Sequence, residues 1–125
     1  MFRTLLKSKI HRARVTQADL HYEGSITLDQ NLMKAAALHE HEFVHIWDIT
    51  NGNRFETYVI PGTKGSGTVQ INGAAAHLVK KNDLVIIASF VSVDEKKLKK
   101  HQPKIVFVNH QNKIVKETRK SGQKL

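Results

Sequence analysis

The sequence predicts a mainly β protein whose short strands close around one small core as a barrel. Three observations carry this. Runs rich in β-branched and aromatic residues recur along the chain. An Asn51-Gly52 pair sits between two of them, a strong local hairpin signal. At 125 residues the chain can bury one core and has little room for a second. A closed barrel also removes the exposed edges that an open sheet would leave.

Taken in order, the first strand-like run ends at Val15. One or two short helices are expected, the clearest from about Asp29 to Leu38, where LDQNLMKAAAL is rich in helix formers and Asp29 can serve near the N-terminus. The runs VHIWDIT and RFETYVI flank Thr50-Asn51-Gly52-Asn53, and Asn-Gly there predicts a type I′ turn joining the strands of Trp47 and Tyr58. TVQIN and DLVIIASFVSV follow as further strands, and KIVFVNH at Lys104 to His110 can add one more before order is lost. Residues 1–93 are therefore assigned to the barrel and 94–125 to a basic, partly flexible C-terminal segment. No internal repeat is present.

The net charge of +9 invites a nucleic-acid reading, but residues 1–95 hold ten Lys and Arg against ten Asp and Glu. The excess falls from Lys96 onward, opposed only by Glu117, and Phe107 is the only aromatic beyond Phe90. A basic end such as KETRKSGQKL without interleaved aromatics reads as a solvated tail, so no nucleic-acid partner is expected. Without cysteine there is no disulfide and no thiolate chemistry. Leu84 to Val93 is too short to span a membrane as a helix, and charged residues interrupt MFRTLLKSKIHR before a signal sequence could form. A soluble, cytoplasmic protein with no membrane contact is expected.

Two motifs are decoys. His41-Glu42-Phe43-Val44-His45 matches the H-E-x-x-H zinc pattern, which needs a helix to bring both histidines to one face. Here the motif runs into Ile46-Trp47-Asp48-Ile49, and on a strand residues four apart stand roughly 13 Å from each other. No metal site is expected. Gly62-Thr63-Lys64-Gly65-Ser66-Gly67-Thr68 is superficially similar to a phosphate loop, but Thr68 stands where lysine should be, so a strand-connecting loop is the better reading.

Gly24-Ser25 alone would mark an ordinary turn. Its context, Ala18-Asp19-Leu20-His21-Tyr22-Glu23-Gly24-Ser25, resembles the self-processing site of the pyruvoyl-dependent aspartate 1-decarboxylases. The resemblance continues, in order, through Lys9-Ile10-His11-Arg12, Ile46-Trp47, Thr50-Asn51-Gly52, Arg54-Phe55-Glu56-Thr57-Tyr58, Asn72-Gly73-Ala74-Ala75-Ala76-His77 and Asp83 to Phe90. It spans residues 1 to about 93, and the ordered set is more specific than any one motif.

That resemblance implies a six-stranded double-psi β-barrel, assembled as a homotetramer with active sites between subunits. It also implies decarboxylation of L-aspartate to β-alanine and CO2 for pantothenate synthesis. The cofactor would be a pyruvoyl group made from Ser25 after its hydroxyl attacks the Gly24 carbonyl and the resulting ester eliminates. Substrate would join it as a Schiff base. Gly24 would supply the backbone freedom for a strained turn. Thr57 matches the hydroxyl that stabilises the cleavage intermediate and adjoins substrate, and Tyr58 the catalytic acid that returns a proton. Arg54 can grip one substrate carboxylate with a bidentate fork, and Lys9 is the candidate for the other. Gly73, Ala74 and Ala75 match the small-residue stretch lining the substrate site. Strand alternation sets Thr57 on the face opposite Arg54 and Tyr58, so a twist or bulge must let it reach Ser25. Cleavage either proceeds unaided or enlists a maturation factor, and both stay open. A nucleic-acid-binding barrel and a zinc peptidase using His41 and His45 are the alternatives from other classes.

Overall fold

Alternation shapes the first strand of the computed structural model, which describes residues 1–118. In β1 (Phe2–Arg14), Ser8 and Ile10 turn inward while Lys7, Lys9 and His11 remain partly exposed on the other face. Arg12 takes φ 64° and the pairing shifts between Ile10 and Ala13, a bulge that returns Ala13 and then Val15 to the core.

The chain continues through β2 (Gln17–Asp19), β3 (Ser25–Asp29), α1 (Gln30–Ala35), β4 (Phe43–Asp48), β5 (Arg54–Gly62) and β6 (Val69–Asn72). A 3-10 helix, Gly73–Leu78, leads to β7 (Leu84–Asp94), and a second, Glu95–Lys100, leads to β8 (Lys104–Val108) and β9 (Ile114–Glu117). The strand order is β2-β6-β3-β5-β4-β7-β1-β8-β9. Two residues separate β1 from β2, yet they lie far apart in this row, which is possible only if the sheet curls into a barrel. At that corner Val15 N–H donates to Asp83 O and Thr16 N–H to Val69 O, both at 2.8 Å. The pairs β2·β6, β3·β5 and β1·β8 are parallel, and the other pairs are antiparallel. The core contains Ile10, Ile26, Leu28, Ile46, Val59, Ile71 and Ile87, each no more than 1% exposed.

The fold is mainly β, as the sequence predicted, and it has nine strands where the family resemblance implied a six-stranded double-psi barrel. Setting aside the three-residue β2 and the two strands after residue 93, six remain. KIVFVNH does form a strand, β8, which runs parallel to β1 and buries Val106 in the core. In β9, Lys116 and Glu117 are exposed, and the rest of the basic end, from residue 119, lies outside the described residues.

Two local expectations are refined. The helix is shorter than Asp29 to Leu38 because Asp29 is its N-cap, accepting from Asn31 N–H at 2.8 Å. At the other end Ala37 takes φ 53° while the Ala37 and Leu38 amides donate back to Lys34 O and Met33 O, a Schellman closure. The hairpin forms where Asn51-Gly52 predicts it, but not as a type I′ turn. Only Gly52, at φ +80°, is left-handed, and with Trp47 paired to Arg54 the five residues 49–53 connect β4 to β5. The cause is Asp48, whose carboxylate accepts from Thr50 N–H at 2.8 Å and Asn51 N–H at 3.1 Å and so organises a wider turn.

Among the described residues no helix is long and apolar enough to cross a membrane.

Candidate active site

Ser25 opens β3, and its side chain is 1% exposed. The antiparallel register of β3 and β6 sets it opposite Asn72, itself fully buried. Asn72 Nδ2 donates to Ser25 Oγ at 2.9 Å and to Thr27 Oγ1 at 3.0 Å. A buried amide held this way cannot wander, because breaking either bond would strand polar groups away from water. Asn72 is the residue that sequence reading missed. It was visible only as the first letter of a motif, and nothing local reports a partner 47 residues away.

The next residue, Gly73, has φ +73°, and a Cβ built on it would meet Gly24 Cα and N at 2.8 Å and Tyr22 O at 3.2 Å. A side chain at 73 would push away the Tyr22–Gly24 segment. At Gly24 the expectation of special backbone angles is not met: its φ lies outside the left-handed region, and a Cβ there would meet nothing within 4 Å. The glycine that this junction needs sterically is therefore Gly73. Ala74, exposed, and Ala75, half-buried, follow in the 3-10 helix.

Parallel pairing of β3 with β5 sets Ile26 against Val59, so the β5 residues just before that pair, Thr57 and Tyr58, run beside the Gly24-Ser25 step. Thr57 pairs with Val44 and is half-buried, and Tyr58 pairs with Phe43 and is 39% exposed. The β4·β5 ladder runs without a register shift, so no bulge turns Thr57 toward Ser25. Among the described residues neither Thr57 nor Tyr58 makes a side-chain hydrogen bond to Gly24 or Ser25.

Arg54 and Lys9 stand apart from this cluster. Arg54 lies four residues, roughly 13 Å along a strand, from Tyr58, and its guanidinium sits 4.6 Å from the centre of the Trp47 ring. Lys9 pairs with Ala88 and Ile105 on β1, four places from β3 in the sheet. Among the described residues neither cation has a carboxylate partner. Both share the outer face of the sheet with Phe43, His45, Trp47 and Phe90; His45 meets Phe43 and Phe90 edge to face, and Trp47 lies tilted against His45 and Phe90.

The decoy motifs have other employment. His41 lies in a turn at φ 72°, 3.6 Å from Glu40, while His45 is on β4 between Phe43 and Phe90. In the Gly62–Thr68 loop the Gly65 and Gly67 amides donate to the Asp29 carboxylate at 2.9 and 2.8 Å. Burial raises the Asp29 pKa, but the amides of Gly67, Asn31 and Gly65 outweigh it and hold the group below the usual carboxylate range. Amides that would face a phosphate are thus already occupied.

The chain is thus a small β-barrel that buries a hydrogen-bonded serine directly after a glycine. The family model for aspartate decarboxylase matches residues 1–115. The chain is similar to the aspartate 1-decarboxylase of Leptothrix cholodnii, with 54% identity over 123 residues covering 98% of this chain and 93% of the relative. It belongs to the aspartate decarboxylase family. The crystal structure of a rationally designed protein, mkDPBB_sym_86, superposes with a TM-score of 0.47 at 14% identity, covering 62% of this chain and 90% of its own, a likeness too slight to add to the assignment.

Proposed function

We propose that this protein is a cytoplasmic aspartate 1-decarboxylase that converts L-aspartate to β-alanine and CO2 for pantothenate synthesis, using a pyruvoyl group made from its own Ser25. Family membership supports the activity. The cofactor reading rests on one observation: Ser25 Oγ is buried and held by Asn72 beside a glycine that itself rests on Gly73. The buried hydroxyl and the tight backbone contact fit a processing site.

Processing starts when Ser25 Oγ bonds to the Gly24 carbonyl carbon, the carbon–nitrogen bond breaks, and the hydroxyl proton passes to the freed nitrogen. Loss of the Ser25 Cα proton then breaks Cβ–Oγ, leaving the electron pair on the Gly24 carboxylate and a dehydroalanine whose imine form water hydrolyses to the ketone, releasing ammonia. Thr57, beside this step in the parallel register, is assigned the hydroxyl that stabilises charge on the Gly24 oxygen during attack. The pyruvoyl ketone supplies the electron sink that no ordinary side chain offers.

Tyr58 Oη is assigned the return of a proton to the carbon that has lost its carboxylate, since a phenol stays protonated at neutral pH. Arg54 and Lys9 bind the two substrate carboxylates, and Gly73, Ala74 and Ala75 let backbone approach the ligand. Because Arg54 and Lys9 are remote from Ser25 within one chain, the site is completed between neighbouring copies in a homotetramer.

Intact mass spectrometry tests the reading. Incubated alone, the purified chain should yield residues 1–24, ending in a free carboxylate, and residues 25–125, beginning with a carbonyl that resists N-terminal sequencing. If cleavage requires cell extract, a maturation factor is involved. Ser25→Ala should fold, remain uncut and release no β-alanine. An uncut yet fully active wild-type chain would overturn the cofactor assignment.

A further inference from the structure

We propose that Gln70 is a positioning residue that holds the N–H end of the Asn72 amide toward Ser25, and through it governs the rate of processing at Gly24-Ser25. The inference rests on the self-cleavage proposed above and adds a residue that this cleavage depends on.

Gln70 and Asn72 lie two apart on β6, on the same face, opposite Thr27 and Ser25 respectively. Three side-chain hydrogen bonds fix Asn72: Nδ2 to Ser25 Oγ at 2.9 Å, Nδ2 to Thr27 Oγ1 at 3.0 Å, and Gln70 Nε2 to Asn72 Oδ1 at 2.8 Å. Asn72 is 0% exposed, so water does not choose its orientation. Ser25 and Thr27 do not choose it either, because a hydroxyl can donate as readily as it accepts. Gln70 holds the observed sense by donating Nε2 to Asn72 Oδ1, and a side chain there that could only donate or only accept would dictate it. A donor there turns Asn72 Oδ1 toward itself and Nδ2 toward Ser25, whereas an acceptor reverses the whole network.

The sense of the network matters because the bond change that parts the chain places charge on Ser25 Oγ. During attack the charge passes to the Gly24 carbonyl oxygen, but when Cβ–Oγ breaks Oγ takes the electron pair. An N–H aimed at Oγ stabilises it at that step. In the reversed network the Ser25 proton is spent on Asn72 Oδ1, and an oxygen lone pair faces the developing charge.

Position 70 is only half-buried, so replacements can be tolerated. The test compares a donor-only, an acceptor-only and an apolar side chain there: Gln70→Lys, Gln70→Glu and Gln70→Met. Cleaved fraction against time, by intact mass, gives the rate, and thermal melts check folding. Gln70→Lys should cleave close to the wild-type rate, Gln70→Met more slowly, and Gln70→Glu slowest, at least about tenfold down. The Gln70→Glu deficit relative to wild type should shrink toward about pH 4, where the introduced carboxyl regains a proton to donate. Wild-type speed in Gln70→Glu, or equal losses in all three variants, would overturn the proposal and leave self-cleavage standing. A wild-type chain that never cuts would instead overturn the self-cleavage reading, and this inference with it.

Discussion

Ser25, Thr27 and Asn72 are tied together inside a single chain by two hydrogen bonds from one buried amide, whereas Arg54, Tyr58 and Lys9 project from the outer face of the same barrel with no carboxylate or hydroxyl partner among the described residues. The first region is organised before any ligand arrives. The second is a set of exposed groups, flanked by Phe43 at 55% and Phe90 at 39% exposure, that gains a pocket only when something covers it. In the proposed enzyme, maturation chemistry is thus housed within one fold, and substrate recognition is left to assembly. Variants in the two regions should separate cleavage from turnover.

The largest separation should come from adjacent residues. Thr57→Val keeps the shape but removes the hydroxyl, and losing one such donor typically slows a reaction by about 100-fold to 1000-fold, so uncut chain should accumulate. Tyr58→Phe should cut normally yet decarboxylate about 100-fold to 10,000-fold more slowly, the range for losing a general acid. Cleaved fraction and β-alanine release measured on the same samples decide both roles. Thr57→Val is the sharper test, because no register shift in the β4·β5 ladder turns Thr57 toward Ser25. If Thr57→Val matures at the wild-type rate, the stabilising hydroxyl lies elsewhere.

Arg54→Ala should leave cleavage intact and raise KM. Removing one partner of a bidentate charge pair costs about 2 to 4 kcal/mol, roughly 30-fold to 700-fold in affinity. Slowed cleavage in this variant would mean that the two regions are not independent.

The smallest effect concerns stability, at the loop that joins β4 to β5. Asp48 is buried, and its pKa is pushed up to about 6 by burial first, then by a hydrogen bond with Asp83 and that carboxylate's charge; the Asn51 and Thr50 amides pull the other way. Asp48 Oδ2 finds no donor among the described residues. Two facing acceptors are satisfied only when one carries a proton. Because the folded pKa lies above the unfolded one, this contribution to stability is complete below about pH 4 and is lost as pH rises through about 6. Asp48→Asn supplies a permanent donor, so its advantage over wild type should grow by on the order of 1 to 3 kcal/mol between pH 4.5 and 7. Asp29 and Glu42 do not confuse this window, because their pKa values are lowered and their contributions fade only as pH falls below the ordinary carboxylate range. Denaturant unfolding of both proteins across that range measures the difference, and parallel stability curves would refute the shared proton.

Sequence alone determined the mainly β class, the hairpin at Asn51-Gly52, a helix beginning at Asp29, the strand at KIVFVNH and the ordered motifs that carry the family. These are local signals: propensity, alternation and capping act within a few residues, where neighbours along the chain are also neighbours in space. Tertiary structure decided the rest. It chose the loop that the Asp48 carboxylate organises over a type I′ turn, moved the glycine requirement from Gly24 to Gly73, and set Asn72 against Ser25. It also left Lys9 and Arg54 far from the serine they were expected to serve. Each of these depends on which strands pair and in what register, and a one-residue slip would send every side chain to the opposite face. Register is fixed by the whole core closing at once, so no short window of the chain contains it.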